Sequence, residues 1–96
     1  MSVSPVLEIR VESQVSPDRL EELGVMQWPI WTKEASTFPW TYAESEVCFL
    51  LEREVEVTPD GGEPVSFGKG DLVTFPMGMS CTWEIRADVR KHYNFG

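Results

Sequence analysis

Histidine and cysteine are scarce in this chain of 96 residues, with one histidine, His92, and two cysteines, Cys48 and Cys81. Two cysteines are too few for a disulfide scaffold, and both sit in apolar, strand-like segments, where reduced buried thiols are common. Both are expected to be free. Long hydrophobic runs are also missing. The longest uninterrupted one is Val47 to Leu51, far short of the roughly 20 residues a membrane-spanning helix needs. Basic charge is short as well: eight Lys and Arg face sixteen Asp and Glu, for a formal net charge of −8. Such a surface repels phosphate backbones and anionic membranes, so neither nucleic acid nor a membrane is an expected partner. Met1 to Ser13 holds no basic region followed by an apolar stretch and no Arg- and Ser-rich amphipathic pattern. Neither secretion nor organelle import is signalled, and cytoplasmic residence is the expectation.

What is present is apolar and aromatic. Hydrophobic residues make up 42% of the chain, with four Trp, two Tyr and five Phe, a composition that folds rather than stays disordered. The length suits one domain, residues 1–96. So small a domain buries a modest fraction of its surface, and homodimerisation would add burial; a homodimer is expected.

The apolar pattern has the period of strands. Leu7, Ile9 and Val11 alternate with Glu8, Arg10 and Glu12 as in a half-exposed edge strand. Ser16-Pro17 supplies an N-cap and a preset first helical residue, and Gly24 a stop, predicting about two turns of helix over Pro17 to Leu23. Pro29 and Pro39 break the aromatic stretch Trp28 to Tyr42 into edge or short strands. Glu46 to Thr58 reads as two strands with a bend near Arg53, the first apolar on both faces and the second on one. Pro59-Asp60-Gly61-Gly62 predicts a hairpin turn. Strands follow at Val65-Phe67, Leu72-Phe75, Cys81-Ile85 and Val89-Phe95. Turn signals about every ten residues fit an all-β sandwich or barrel.

Gly70-Asp71-Leu72-Val73-Thr74-Phe75-Pro76-Met77-Gly78 resembles the second motif of the cupin superfamily: a glycine, five residues, then proline-x-glycine. Trp40-Thr41-Tyr42 followed by Glu46 has the spacing of the first cupin motif, in which two histidines and a glutamate bind metal. Trp28-Pro29-Ile30-Trp31, Glu46-Val47-Cys48, Val55 to Thr58, Gly70 to Pro76 and Arg90-Lys91-His92-Tyr93 are together similar to small cupins grouped with the ureidoglycine aminohydrolase cupin domain. The resemblance implies an all-β cupin (RmlC-like) double-stranded β-helix barrel with one short N-terminal helical segment, and suggests a nitrogen-containing substrate.

Against the resemblance, the two histidine positions hold Trp40 and Tyr42, the glutamate is kept as Glu46, and the later histidine position holds Cys81. Tryptophan offers no metal donor, so neither a metal nor another cofactor is expected. Glu46, Tyr42 and Cys81 are the candidate catalytic residues, and Trp40, Lys91 and His92 the candidate substrate-binding ones. Glu46 is either a general acid or base or an inherited carboxylate satisfied by the Tyr42 hydroxyl or a basic side chain. Cys81 is more often a small buried hydrophobe than a nucleophile. In the last strand Arg90 and His92 point one way, Lys91 and Tyr93 the other, and either Lys91 or His92 could counter Glu46 or bind an anionic substrate. Trp28, Trp31, Phe38, Trp40, Tyr42, Phe75 and Trp83 form either a pocket wall or core and interface. A small-molecule ligand in the barrel is one function that follows; a non-catalytic barrel acting through a partner surface is the other, and a metal site altered to use Glu46 and Cys81, with Tyr42 or His92 as a further ligand, ranks below both.

Overall fold

Local sequence chemistry sets the one α-helix among the described residues. A computed structural model describes residues 8–96, and in it α1 spans Pro17–Leu23, with the Ser16 side chain accepting the Arg19 N–H and Gly24 ending the helix at φ 71°. Such a left-handed closing residue costs glycine little, because it carries no Cβ. A single 3-10 turn, Val25–Gln27, follows directly. Leu7, part of the expected first strand, lies outside the described residues.

Nine strands make up the rest: β1 (Arg10–Glu12), β2 (Ile30–Lys33), β3 (Ser36–Thr41), β4 (Glu46–Glu52), β5 (Glu54–Pro59), β6 (Val65–Gly68), β7 (Leu72–Phe75), β8 (Ser80–Ile85) and β9 (Val89–Phe95). They pair antiparallel in two sheets, one ordered β1-β7-β4-β9-β2 and the other β3-β8-β5-β6. This is the two-sheet cupin-like fold expected from the sequence. Pro39 lies within β3, an edge strand, where a missing backbone N–H breaks no ladder on the open side.

The chain changes sheet at short turns, two of which, before and after β7, are the Gly70-Asp71 and Pro76-Met77-Gly78 motif residues. Arg53 carries β4 into β5 at φ 70°, a left-handed conformation in which a Cβ is strained. Between β6 and β7, the Asp71 carboxylate accepts the Gly68 N–H at 2.9 Å while the Gly70 N–H, at φ 90°, donates to the Leu50 carbonyl at 3.0 Å. After β7, Gly78 at φ 88° donates to the Tyr42 carbonyl at 2.7 Å, and the Tyr42 N–H donates to Met79 O at 2.9 Å. The proline-x-glycine turn thereby clamps the segment that holds Tyr42.

Burial divides between the two faces of the five-stranded sheet. On the inner face Cys48, Leu50, Val73, Phe75 and Val89 meet Val55, Phe67, Trp83 and Ile85 of the second sheet. On the outer face Phe49 and Leu72 pack under Leu20 of α1 and Val25. β4 is therefore covered on both sides, which is why its sequence runs apolar without alternation. No helix among the described residues is long and apolar enough to cross a membrane.

Candidate functional site

Five strands from the two sheets assemble the site. β9 runs beside β4 with Glu46 opposite Phe95, Cys48 opposite Tyr93 and Leu50 opposite Lys91, while on its other side Lys91 stands opposite Trp31 of β2. Side chains alternate along a strand, so Lys91, Tyr93 and Phe95 share the inner face with Glu46. From the second sheet, Trp83 of β8 stands opposite Phe38 of β3, and their rings stack at 6.2 Å. The result is a cavity of about 230 Å³ whose walls include Trp31, Phe38, Trp83 and Tyr93 and whose rim includes Trp40 and Phe95, 47% and 42% exposed.

The cavity holds one buried ion pair. Lys91 Nζ donates to Glu46 Oε2 at 3.0 Å, and both side chains are only 5% exposed. The same ammonium sits 4.6 Å from the Trp83 ring centroid and 4.9 Å from that of Trp31, inside the range where a ring face attracts a cation. Two charges this deep are tolerable only because each answers the other and the rings add to the attraction. Glu46 Oε1 accepts no hydrogen bond among the described residues, and none of their buried side-chain oxygens or nitrogens lacks a partner. That oxygen is consequently open to the cavity.

The other expected site residues separate by position. Tyr42 is buried and lines the cavity, its ring stacked on Phe75 at 4.9 Å and edge-on to Trp40 at 6.4 Å. Burial, and after it the nearby Glu46 carboxylate, hold its hydroxyl protonated far above the usual tyrosine range. Cys81 stands opposite Trp40 in the ladder and turns its thiol to the Trp40 carbonyl at 3.6 Å. Burial first, then Asp60 and Glu46, push that thiol up to about 11, and Cys81 is not among the residues that line the cavity. His92 does not join the group. It points to the outer face beside Phe49, with Nδ1 2.9 Å from the Trp28 carbonyl, so the basic partner of Glu46 is Lys91.

The cupin fold implies a metal ion, and the donors here do not fit one. Trp40 has no donor atom, the Cys81 thiol is turned to the Trp40 carbonyl, and the Lys91 ammonium already stands on the Glu46 carboxylate. Among the described residues no group of three or more His, Cys, Asp and Glu side chains could hold a metal. Tyr93 and Phe95 were absent from the sequence-based wall, although their period-2 spacing with Lys91 carried the signal. Trp28 and Phe75, named there, belong to the outer cluster and to the inner core.

A family model for the EutQ-like cupin domain matches residues 20–93. No curated protein matches the chain. Among solved structures, a DUF861 family protein from Thermotoga maritima is 48% identical, covering 93% of this chain and 100% of that one, with a TM-score of 0.89. A putative ethanolamine utilization protein Q from Salmonella typhimurium is 29% identical over 69% of this chain and 53% of that one, with a TM-score of 0.63. This chain thus spans about half of that protein's length. The EutQ protein from Clostridium difficile, 20% identical with a TM-score of 0.64, shares the fold. These comparisons support the cupin assignment and narrow it to the EutQ-like domain; they give no support to the nearer resemblance to the ureidoglycine aminohydrolase domain.

Proposed function

This chain belongs to the EutQ-like cupin family, and within that fold we propose a metal-free binding site for a small, neutral, polar metabolite. The carrying observation is the Lys91–Glu46 pair in an aromatic cavity. The pair has no net charge, yet it presents an acceptor at Glu46 Oε1 beside the donors of the ammonium. A ligand that carries a donor and an acceptor side by side, as an amide or a ureide does, satisfies both without leaving a charge unpaired. Its apolar body rests on Trp31, Phe38 and Trp83, the usual division of labour in small-molecule pockets.

Size and charge narrow the class. A volume of about 230 Å³ lies below the common range for drug-sized ligands, roughly 300–1,000 Å³, so the ligand is small. A carboxylate ligand would meet Glu46, and an ammonium would have to displace Lys91 from between the two tryptophans. The ethanolamine in the name of the Salmonella relative, a cation at neutral pH, is for that reason a weaker fit here than a neutral amide. A nitrogen-containing substrate remains within the class, carried by the donor–acceptor pair.

Protein NMR tests this reading. N-methylurea and acetamide are expected to shift the indole N–H signals of Trp31 and Trp83 in a saturable way, whereas acetate and methylammonium at the same concentration leave them in place. Glu46→Gln removes the carboxylate and is expected to weaken the neutral probes by about ten-fold, the equivalent of one charged hydrogen bond. Equal response to all four probes, or to none, would remove the reading. The exposed rim of Trp40 and Phe95 favours one second reading, a partner-binding face; it is expected to respond to Trp40→Ala and not to Glu46→Gln.

A further inference from the structure

We propose that Lys91 is a carbonyl-trapping amine, forming an imine with a small neutral aldehyde or ketone inside the aromatic cavity; this rests on reading that cavity as a ligand site. Lys91 is the one lysine that is both buried and cavity-lining. Lys33 and Lys69 are exposed on the surface. Its Nζ lies 3.0 Å from a carboxylate able to take and return its protons, and it lines a cavity whose walls include Phe38 and Tyr93, against which a carbonyl compound can lie. The other nucleophiles nearby do not compete. Cys48 is fully buried, and burial pushes its thiol up to about 12, while Cys81 is held at about 11 and directed to a backbone carbonyl.

The step balances on these two side chains. The Lys91 ammonium passes a proton to Glu46, an exchange that turns an ion pair into two neutral groups and so suits an enclosure with aromatic walls. The freed amine lone pair forms the N–C bond as the carbonyl π electrons move to oxygen, which takes the proton back from Glu46. Nitrogen then gives a second proton to Glu46. Glu46 delivers it to the hydroxyl, water leaves, and the nitrogen lone pair closes the C=N bond. One N–H remains, so the product is a protonated imine still paired with the Glu46 carboxylate, and one water is released. No oxidant or reductant is needed. Because the positive charge stays on nitrogen, a neutral carbonyl compound completes the site without a further counterion, whereas a 2-oxo acid would set a second carboxylate beside Glu46.

The folded wild-type protein is the test object. Incubation with propanal and cyanoborohydride at neutral pH, followed by intact mass measurement and peptide mapping, is expected to place a single propyl group on Lys91. Labelling there should run about 10-fold or more faster than at Lys33 or Lys69, since the cavity concentrates and positions the aldehyde. Glu46→Gln should slow Lys91 labelling and leave the two surface lysines unchanged. Labelling of Lys33 and Lys69 with Lys91 unmodified would overturn the proposal, and no variant is needed to see it. If neutral amides shift the tryptophan signals while Lys91 stays unlabelled, the imine is overturned and the binding reading stands. If Lys91 is labelled while the amides have no effect, the imine stands and the amide reading fails.

Discussion

At the scale of the residue, Glu46 and Lys91 depend on each other. Removing one partner of a buried pair leaves the other charge uncompensated, a cost of about 3–5 kcal/mol. Lys91→Met is accordingly expected to destabilise the protein by that order in a denaturant titration, and Glu46→Leu combined with Lys91→Met to recover most of the loss. Additive losses in the double variant would mean that the two side chains do not interact in solution. The thiols make a second expectation. Cys81 is raised by burial from 9.0 to about 11, and Cys48 from 9.0 to about 12. The native protein therefore keeps thiol protons that the unfolded chain loses above pH 9, so the thiols' contribution to stability is constant below that value and falls as pH rises towards 11. Each thiol contributes a slope of at most about 1.4 kcal/mol per pH unit. Replacing both by Ala should flatten the alkaline limb of a stability-against-pH curve; an unchanged slope would place the loss elsewhere.

At the scale of the element, the turns matter more than strand propensity. Gly68 ends β6 with so little room that a Cβ would meet the Arg53 carbonyl oxygen at 2.7 Å and the Glu54 Cα at 3.0 Å. Both neighbours are backbone and cannot swing aside. Gly68→Ala is expected to lower thermal stability by several degrees, equivalent to at least about 1 kcal/mol, and a neutral result would show that the β5–β6 edge yields. Much of this level was legible beforehand. Ser16, Pro17 and Gly24 marked α1 to the residue, and the Gly70 and Pro76-Met77-Gly78 signals marked the turns where the chain changes sheet. The bend at Arg53 was also visible, although its left-handed backbone was not, because nothing in an arginine announces it. The partner of Glu46 stayed open between Lys91 and His92. Alternation put the two on opposite faces of β9, but which face meets the cavity follows from the register with β4, set by residues more than forty positions apart.

At the scale of the whole molecule, two sheets enclose an inner face on which a cupin would hold a metal, and in this chain that face carries aromatic rings, Glu46 and one lysine. The ammonium of Lys91 supplies the positive charge next to Glu46, and Trp31 and Trp83 hold it there. Such an arrangement makes the Glu46 carboxylate half of a neutral donor–acceptor pair, which is the ground on which we propose neutral polar ligands for the barrel. The most direct measurement is metal content by elemental mass spectrometry, on protein purified without an affinity tag or added metal. With Lys91 paired to Glu46, manganese, iron, nickel and zinc should each stay far below one equivalent per chain. Any of them near one equivalent would contradict that arrangement and return Glu46 to the role of a metal ligand.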